Sequence, residues 1–188
     1  ETFRETPPKA TILRSTIAPA LGGDTMFVSM AAAYDGLGDA TQQLIFGLEG
    51  IFDFKPFRTL FGNEAEDHRL LRELEEQYPL RRHPIVRVHP ESGRKGLFVN
   101  GVFTSAIVGM KEKESERILS FLYEHIDSHE YHCRFHWTPN AIAMWDNQNT
   151  QHRVVADDPT ARRFMWARHR QMTRAEVKSN GWRIALAG

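Results

Sequence analysis

The sequence predicts a mainly β protein with helices, in which a jelly-roll core carries helical decoration. Three observations lead there. Short segments whose apolar residues alternate recur along the chain, for example Tyr131, Cys133, Phe135 and Trp137 against His132, Arg134 and His136. Stretches with helical spacing lie between them, so strands and helices are interleaved without any internal repeat or low-complexity tract. A length of 188 residues suits one domain with a substantial core, and we read residues 1–188 as a single domain.

The first predicted strand runs from Lys9 to Ile17, where Ile12 alternates with Thr11 and Leu13, and it breaks at Pro19 and Gly22-Gly23. Asp24 to Val28 forms a second short strand. Ser29 can cap a helix from Met30 to about Leu37, because its hydroxyl can accept from a free first-turn N–H. Gly38-Asp39 restarts a helix in which Leu44, Ile45 and Leu48 keep helical spacing, and both helices should pack on the sheet. Gly50 to Asn63 holds Phe52, Phe54, Phe57 and Phe61 without clear periodicity. It reads as a lid or pocket loop, or as a loop pinned to the core by its phenylalanines. Glu64 to Tyr78 is a charged helix with Leu70, Leu71 and Leu74 on one face.

His83 to Pro90 and Gly96 to Asn100 read as two strands of a hairpin joined by Glu91-Ser92-Gly93-Arg94. Lys111 to Ile126 is an amphipathic helix with Ile118, Phe121, Leu122 and His125 as its stripe. Tyr131 to Trp137, Ala141 to Asp146 and Phe164 to His169 supply three further strands, with His152 at a strand end next to the turn Asn147 to Thr150.

Composition narrows the partner. Lysine plus arginine and aspartate plus glutamate both count 24, with no basic run, which argues against a nucleic-acid or anionic-membrane surface and for a small-molecule substrate. Cys133 is the single cysteine, so no intrachain disulfide can form, and a reducing compartment is expected. With no run of 18 apolar residues and no basic-then-apolar leader, we read the chain as soluble and cytoplasmic.

The chemistry sits in Trp145-Asp146-Asn147-Gln148-Asn149-Thr150-Gln151-His152, with Arg163 eleven residues after His152. A histidine at a strand end and an arginine one strand later can bind a metal and a carboxylate in one pocket. These residues closely resemble the C-terminal half of the taurine dioxygenase family, iron(II)- and 2-oxoglutarate-dependent oxygenases that share W-D-N-x-x-T-x-H with an arginine at the same distance. The resemblance implies the double-stranded β-helix form of the jelly roll, Fe(II) as metal, and 2-oxoglutarate and O2 as co-reactants. Such oxygenases hold Fe(II) with two histidines and one carboxylate on one octahedral face. His152 would be the distal histidine of that set. Arg163 would pair with the far carboxylate of 2-oxoglutarate through a bidentate guanidinium. The family assists that arginine with the threonine of a G-G-D-T turn, which Gly22-Gly23-Asp24-Thr25 matches, so Thr25 becomes the second cosubstrate residue. Trp145, Asp146 and Asn147 would orient the turn, and Asp146 would not ligate the metal. Phe103 aligns with an aromatic residue of the substrate pocket, although a core phenylalanine is an equally fair reading.

In the same family, a segment like Thr2 to Pro8 follows an H-x-D motif that supplies the other histidine and the carboxylate. By that resemblance those ligands would stand just before Glu1, the chain would lack its N-terminal segment, and Glu1 would lie near the substrate. The arginine that binds a sulfonate in taurine dioxygenase is replaced by Ala167. Arg168 and Arg170 are out of phase on a strand, so taurine is an unfavourable substrate. The implied activity is hydroxylation of a small organic substrate with release of succinate and CO2, and a homo-oligomer is compatible with it. A halogenase on the same scaffold and a noncatalytic jelly-roll binding module are the alternatives. The histidines His125, His129, His132 and His136 are spread over a helix, a turn and a polar strand face, and are expected to be structural, as are His83 and His89.

Overall fold

The computed structural model describes residues 2–16, 18, 22–54 and 65–155. In chain order its elements are β1 (Ala10–Arg14), β2 (Thr25–Ser29), α1 (Met30–Asp35), α2 (Asp39–Ile45), β3 (Glu49–Phe52), α3 (Ala65–Gln77), β4 (Arg81–Pro84), β5 (Val86–Val88), β6 (Lys95–Leu97), β7 (Thr104–Ile107), α4 (Glu112–Ile126), β8 (His132–Phe135), β9 (Ile142–Asp146) and β10 (Thr150–Val154). A 3-10 turn at His129–Tyr131 leads into β8.

The strands form antiparallel sets that exchange partners between distant parts of the chain, as a jelly roll requires. β2 lies between β10 and β8, β3 lies between β4 and β7, β1 pairs with β9, and β5 with β6. β9 and β10 are separated by only three residues yet belong to different sets, so the intervening turn carries the chain from one sheet to the other. The apolar core gathers between α1, α4 and the strands β4 to β7, with Ile45, Ile85, Leu97, Val99, Ile107 and Leu122 fully enclosed.

Local chemistry explains the helix positions. Ser29 Oγ accepts from Ala32 N at 3.3 Å, the cap expected from the sequence. Gly36 closes α1 beneath Tyr131, where a Cβ would lie 2.0 Å from the phenolic oxygen, so a side chain cannot be added without moving the ring. Lys111 precedes α4, and the Glu114 carboxylate accepts from Lys111 N at 2.9 Å, which is the glutamate half of a capping box.

Several expectations are corrected. Gly50 to Phe52 is not loop but the middle of a sheet: β3 has a strand on either side, and Phe52 is 0% exposed. Burial alternates along β3, with Gly50 and Phe52 inward and Glu49 and Ile51 outward, but the inward set includes a glycine and the outward set an isoleucine, so side-chain type does not reveal the period. Phe54 is buried too, and residues 55–64 lie outside the described residues. The run His83 to Pro90 divides at Ile85 into β4 and β5, because Ile85 N donates to Leu48 O while Phe98 N donates to Ile85 O, so this buried residue joins two sheets. Along α4 the buried stripe is Ser115, Leu119, Leu122 and Ile126, whereas Phe121 is exposed and stacks on His125 at the margin. Tyr131 sits in the 3-10 turn rather than in β8. No residue of α3 is buried, and Leu70 is open to solvent. His152 falls in the middle of β10, not at a strand end, because Thr150 and Gln151 already pair with Ser29 and Val28. The predicted strand Phe164 to His169 lies outside the described residues. No helix among the described residues is long and apolar enough to cross a membrane.

Candidate active site

Gly22 and Gly23 both have positive φ, 73° and 78°, a backbone that L side chains rarely adopt. This double turn delivers Asp24 and Thr25 to the start of β2. Directly opposed residues in antiparallel strands share a face, so the registers Val154↔Thr25↔Phe135 and His152↔Phe27↔Cys133 place Thr25, Phe27 and His152 on one side of the sheet. His152 and Thr25 are diagonal neighbours, about 7–8 Å apart by strand geometry. The structure thus brings together the expected metal histidine and one expected cosubstrate residue.

The His152 ring packs against Trp145 at 4.8 Å and Phe27 at 6.0 Å between centroids. The residue is exposed by surface area, but the protein packed on one side still desolvates the ring and lowers its pKa from the ordinary histidine value. A lowered pKa favours the neutral imidazole that a metal ligand must be. Trp145 is buried, and its indole N–H has no acceptor among the described residues, which leaves one donor beside His152.

Asp146, Asn147, Asn149 and Gln151, before His152, are each held by a different part of the chain. Asp146 Oδ2 meets His89 Nε2 at 2.7 Å, and Asp146 Oδ1 accepts from Gln148 N at 2.8 Å. The tautomer follows from the other ring nitrogen: His89 Nδ1 accepts from Glu91 N and Ser92 N at 3.2 and 3.1 Å, so Nε2 carries the proton and donates to Asp146. Asn147 Nδ2 donates to Thr11 Oγ1 at 2.8 Å in β1, and Asn149 Oδ1 accepts from Ala31 N at 2.8 Å at the start of α1. Gln151 Nε2 donates to Val99 O, next to Asn100, whose Nδ2 donates to Thr2 Oγ1 at 2.9 Å. Two hydrogen bonds therefore tie the first described residue to the neighbour of His152.

On the other side of Thr25, the Asp24 carboxylate accepts from Arg134 Nε at 2.6 Å and faces His136 Nδ1 at 2.7 Å. The Arg134 hydrogen bond, followed by that of His136, holds the Asp24 carboxyl below its ordinary pKa. Trp137 Nε1 donates to Thr25 Oγ1 at 2.9 Å, with both residues buried.

Phe103 joins an aromatic cluster through Phe3, at 5.0 Å, and Phe3 in turn meets Phe54 and Tyr78. Phe103 is itself half-buried, so this packing is compatible with both roles that the sequence left open. Arg163 and Glu1 lie outside the described residues. The histidines at 125, 132 and 136 are directed to three separate acceptors, Ala33 O, Ile126 O and Asp24 Oδ1. Sequence reasoning missed His89 and Trp137 as partners of the motif residues. Their signal is long-range pairing, across 57 and 112 residues, which no local pattern reports.

As a metal site, the described residues supply one fitting donor, His152. Among them no group of three or more histidine, cysteine, aspartate or glutamate side chains could hold a metal ion. A three-ligand site at His152 needs two donors from elsewhere.

The sequence profile described as "Taurine catabolism dioxygenase TauD, TfdA family" matches residues 1–169. An alpha-ketoglutarate-dependent dioxygenase of Penicillium expansum, cnsM, is 36% identical over 156 residues, covering 80% of this chain and 42% of its own. The alpha-ketoglutarate-dependent sulfate ester dioxygenase of Pseudomonas putida is 35% identical over 169 residues, covering 87% and 55%. The crystal structure of a taurine dioxygenase from Burkholderia xenovorans superposes with a TM-score of 0.66 at 35% identity, covering 79% of this chain and 46% of that one. The chain spans about half the length of these relatives.

Proposed function

Because this chain belongs to the taurine catabolism dioxygenase TauD, TfdA family, we propose that its protein is an Fe(II)- and 2-oxoglutarate-dependent dioxygenase that hydroxylates a small organic substrate and releases succinate and CO2. The observation that carries this reading is the placement of His152 and Thr25 on one face of adjacent strands, two registers apart. His152 would hold the metal and the Thr25 hydroxyl would receive the far carboxylate of a five-carbon dicarboxylate, whose length suits that interval. We assign Arg163, which lies outside the described residues, as the cation for that carboxylate, because a guanidinium can offer two parallel N–H bonds to its oxygens. When bound, Fe(II) supplies the activation of O2 and of the keto acid that no side chain can.

The chain's own residues bind and orient. His152 offers a neutral nitrogen, held by the packing of Trp145 and Phe27 and by a turn fastened to β1, α1 and the β5–β6 hairpin. Phe27 and Trp145 also present apolar surface beside His152. We place the other histidine and the carboxylate in a segment preceding residue 1 of this numbering. The half-length coverage of relatives and the link from Thr2 through Asn100 to Gln151 both support that placement. Glu1 and Phe103 are proposed to border the substrate, and the replacement of a sulfonate-binding arginine by Ala167 argues against taurine. The single cysteine supports a cytoplasmic location.

Replacing His152 by alanine in the full-length protein tests the reading. Iron-dependent succinate formation should disappear, since loss of a direct ligand harms a site more than the roughly 10- to 100-fold typical of its supporting groups. Succinate production within about twofold of the unmodified enzyme rules the assignment out.

A further inference from the structure

We infer that Trp137 is a positioning residue for the cosubstrate: by donating its indole N–H to Thr25 Oγ1 it commits the Thr25 hydroxyl to donate in turn to an anionic ligand. This rests on the reading of Thr25 as a 2-oxoglutarate residue and adds the device that sets its polarity. An indole nitrogen can only donate, so in the 2.9 Å contact Trp137 gives and Thr25 Oγ1 receives. A hydroxyl has a single proton. With one lone pair engaged by Trp137, that proton turns outward, and among the described residues no acceptor takes it. A carboxylate is acceptor-only and fits the outward proton of such a hydroxyl.

The surroundings fix this arrangement. Trp137 is 4% exposed and Thr25 6%, so water does not replace the contact. The Trp137 ring meets Phe135 edge-to-face at 4.8 Å, and Phe135 is the residue directly opposite Thr25 across β2 and β8. Arg134 and His136 bind the Asp24 carboxylate. Residues 134 to 137 thus grip both residues of the turn, with the even-numbered pair on Asp24 and the odd-numbered pair around Thr25. Neither the indole nor the threonine is free to rotate, so the hydroxyl is aimed before a ligand arrives, and no ordering cost is left to binding.

The test uses the full-length enzyme loaded with Mn(II) and titrated with 2-oxoglutarate in a calorimeter, alongside steady-state turnover with Fe(II). Trp137→Phe should weaken 2-oxoglutarate binding by about 2- to 10-fold, the scale of one neutral hydrogen bond. It should raise KM for 2-oxoglutarate by a similar factor, with kcat and Mn(II) affinity held within about twofold. Thr25→Val should weaken binding at least as much, and adding Trp137→Phe to it should change nothing further, because the indole acts only through the hydroxyl. Replacing Trp137 by β-(3-benzothienyl)alanine, which puts sulfur where the N–H was and keeps the shape, should reproduce Trp137→Phe and guards against a packing effect. If Thr25→Val weakens binding but the benzothienyl variant binds normally, or if the double variant is additive, this inference falls and the cosubstrate reading stands. If Thr25→Val itself binds 2-oxoglutarate normally, both fall together.

Discussion

Asp24 shows how one side chain serves both site and stability. Its carboxylate is buried beside Thr25 and is offset by two partners, Arg134 in β8 at 2.6 Å and His136 just after it at 2.7 Å. Those partners, Arg134 foremost, lower the folded-state pKa beneath the ordinary 3.8. A carboxyl whose folded pKa is depressed binds its proton more readily when unfolded. The stability it contributes is therefore complete above the unfolded value and is lost as pH falls through the folded one. The expected outcome is a melting temperature that drops as pH is lowered from about 5 to about 3, with part of that slope belonging to Asp24. Asp24→Asn should be less stable at neutral pH and show a shallower acid slope, measured by thermal unfolding across that range. An unchanged slope shows that the Asp24 carboxylate does not govern the acid transition.

Between elements, the sheets and helices are joined by side chains that satisfy backbone groups far away in sequence. Ser115 is such a join. It lies on the buried face of α4, and its Oγ accepts from Ile107 N at 2.6 Å, fastening the first turn of the helix to the end of β7. Removing the hydroxyl leaves a buried N–H without an acceptor, which costs about 1–3 kcal/mol. Ser115→Ala should lower the denaturant midpoint by the corresponding amount while changing the slope little, and an unchanged midpoint shows that water or a backbone shift replaces the bond. His89 makes a similar join between the β5–β6 hairpin and the turn before His152, through Asp146. The first partner of each such bond is visible in the sequence, but the second is decided by which strands come together.

For the whole molecule, the proposal assigns the metal one ligand within residues 1–188 and two outside them. Anaerobic titration with Fe(II) compares the chain as numbered with the full-length protein. The full-length protein should bind about one iron per chain and consume 2-oxoglutarate, and residues 1–188 alone should bind weakly and not turn over, because a facial three-ligand site tolerates no such loss. Equal, tight binding by both places all the ligands within residues 1–188 and removes the two-part assignment.

The W-D-N-x-x-T-x-H run ending in His152 and the G-G-D-T turn that carries Thr25 were legible through their resemblance to a family, whereas the sequence by itself determined the Ser29 cap and most of the strand and helix succession. These follow from spacing, turn chemistry and side-chain type within a few residues, so a linear pattern suffices. Tertiary structure alone decided that β3 is a central strand, that the buried stripe of α4 runs through Leu119 rather than Phe121, and that His152 stands mid-strand opposite Phe27. It also decided that Trp137 and His89 serve Thr25 and Asp146. The physical reason is common to all of these. A glycine on the buried face and an apolar residue on the open one hide a strand's period, and a hydrogen bond between residues 57 or 112 positions apart depends on how the sheets fold over each other, which no short window of sequence contains.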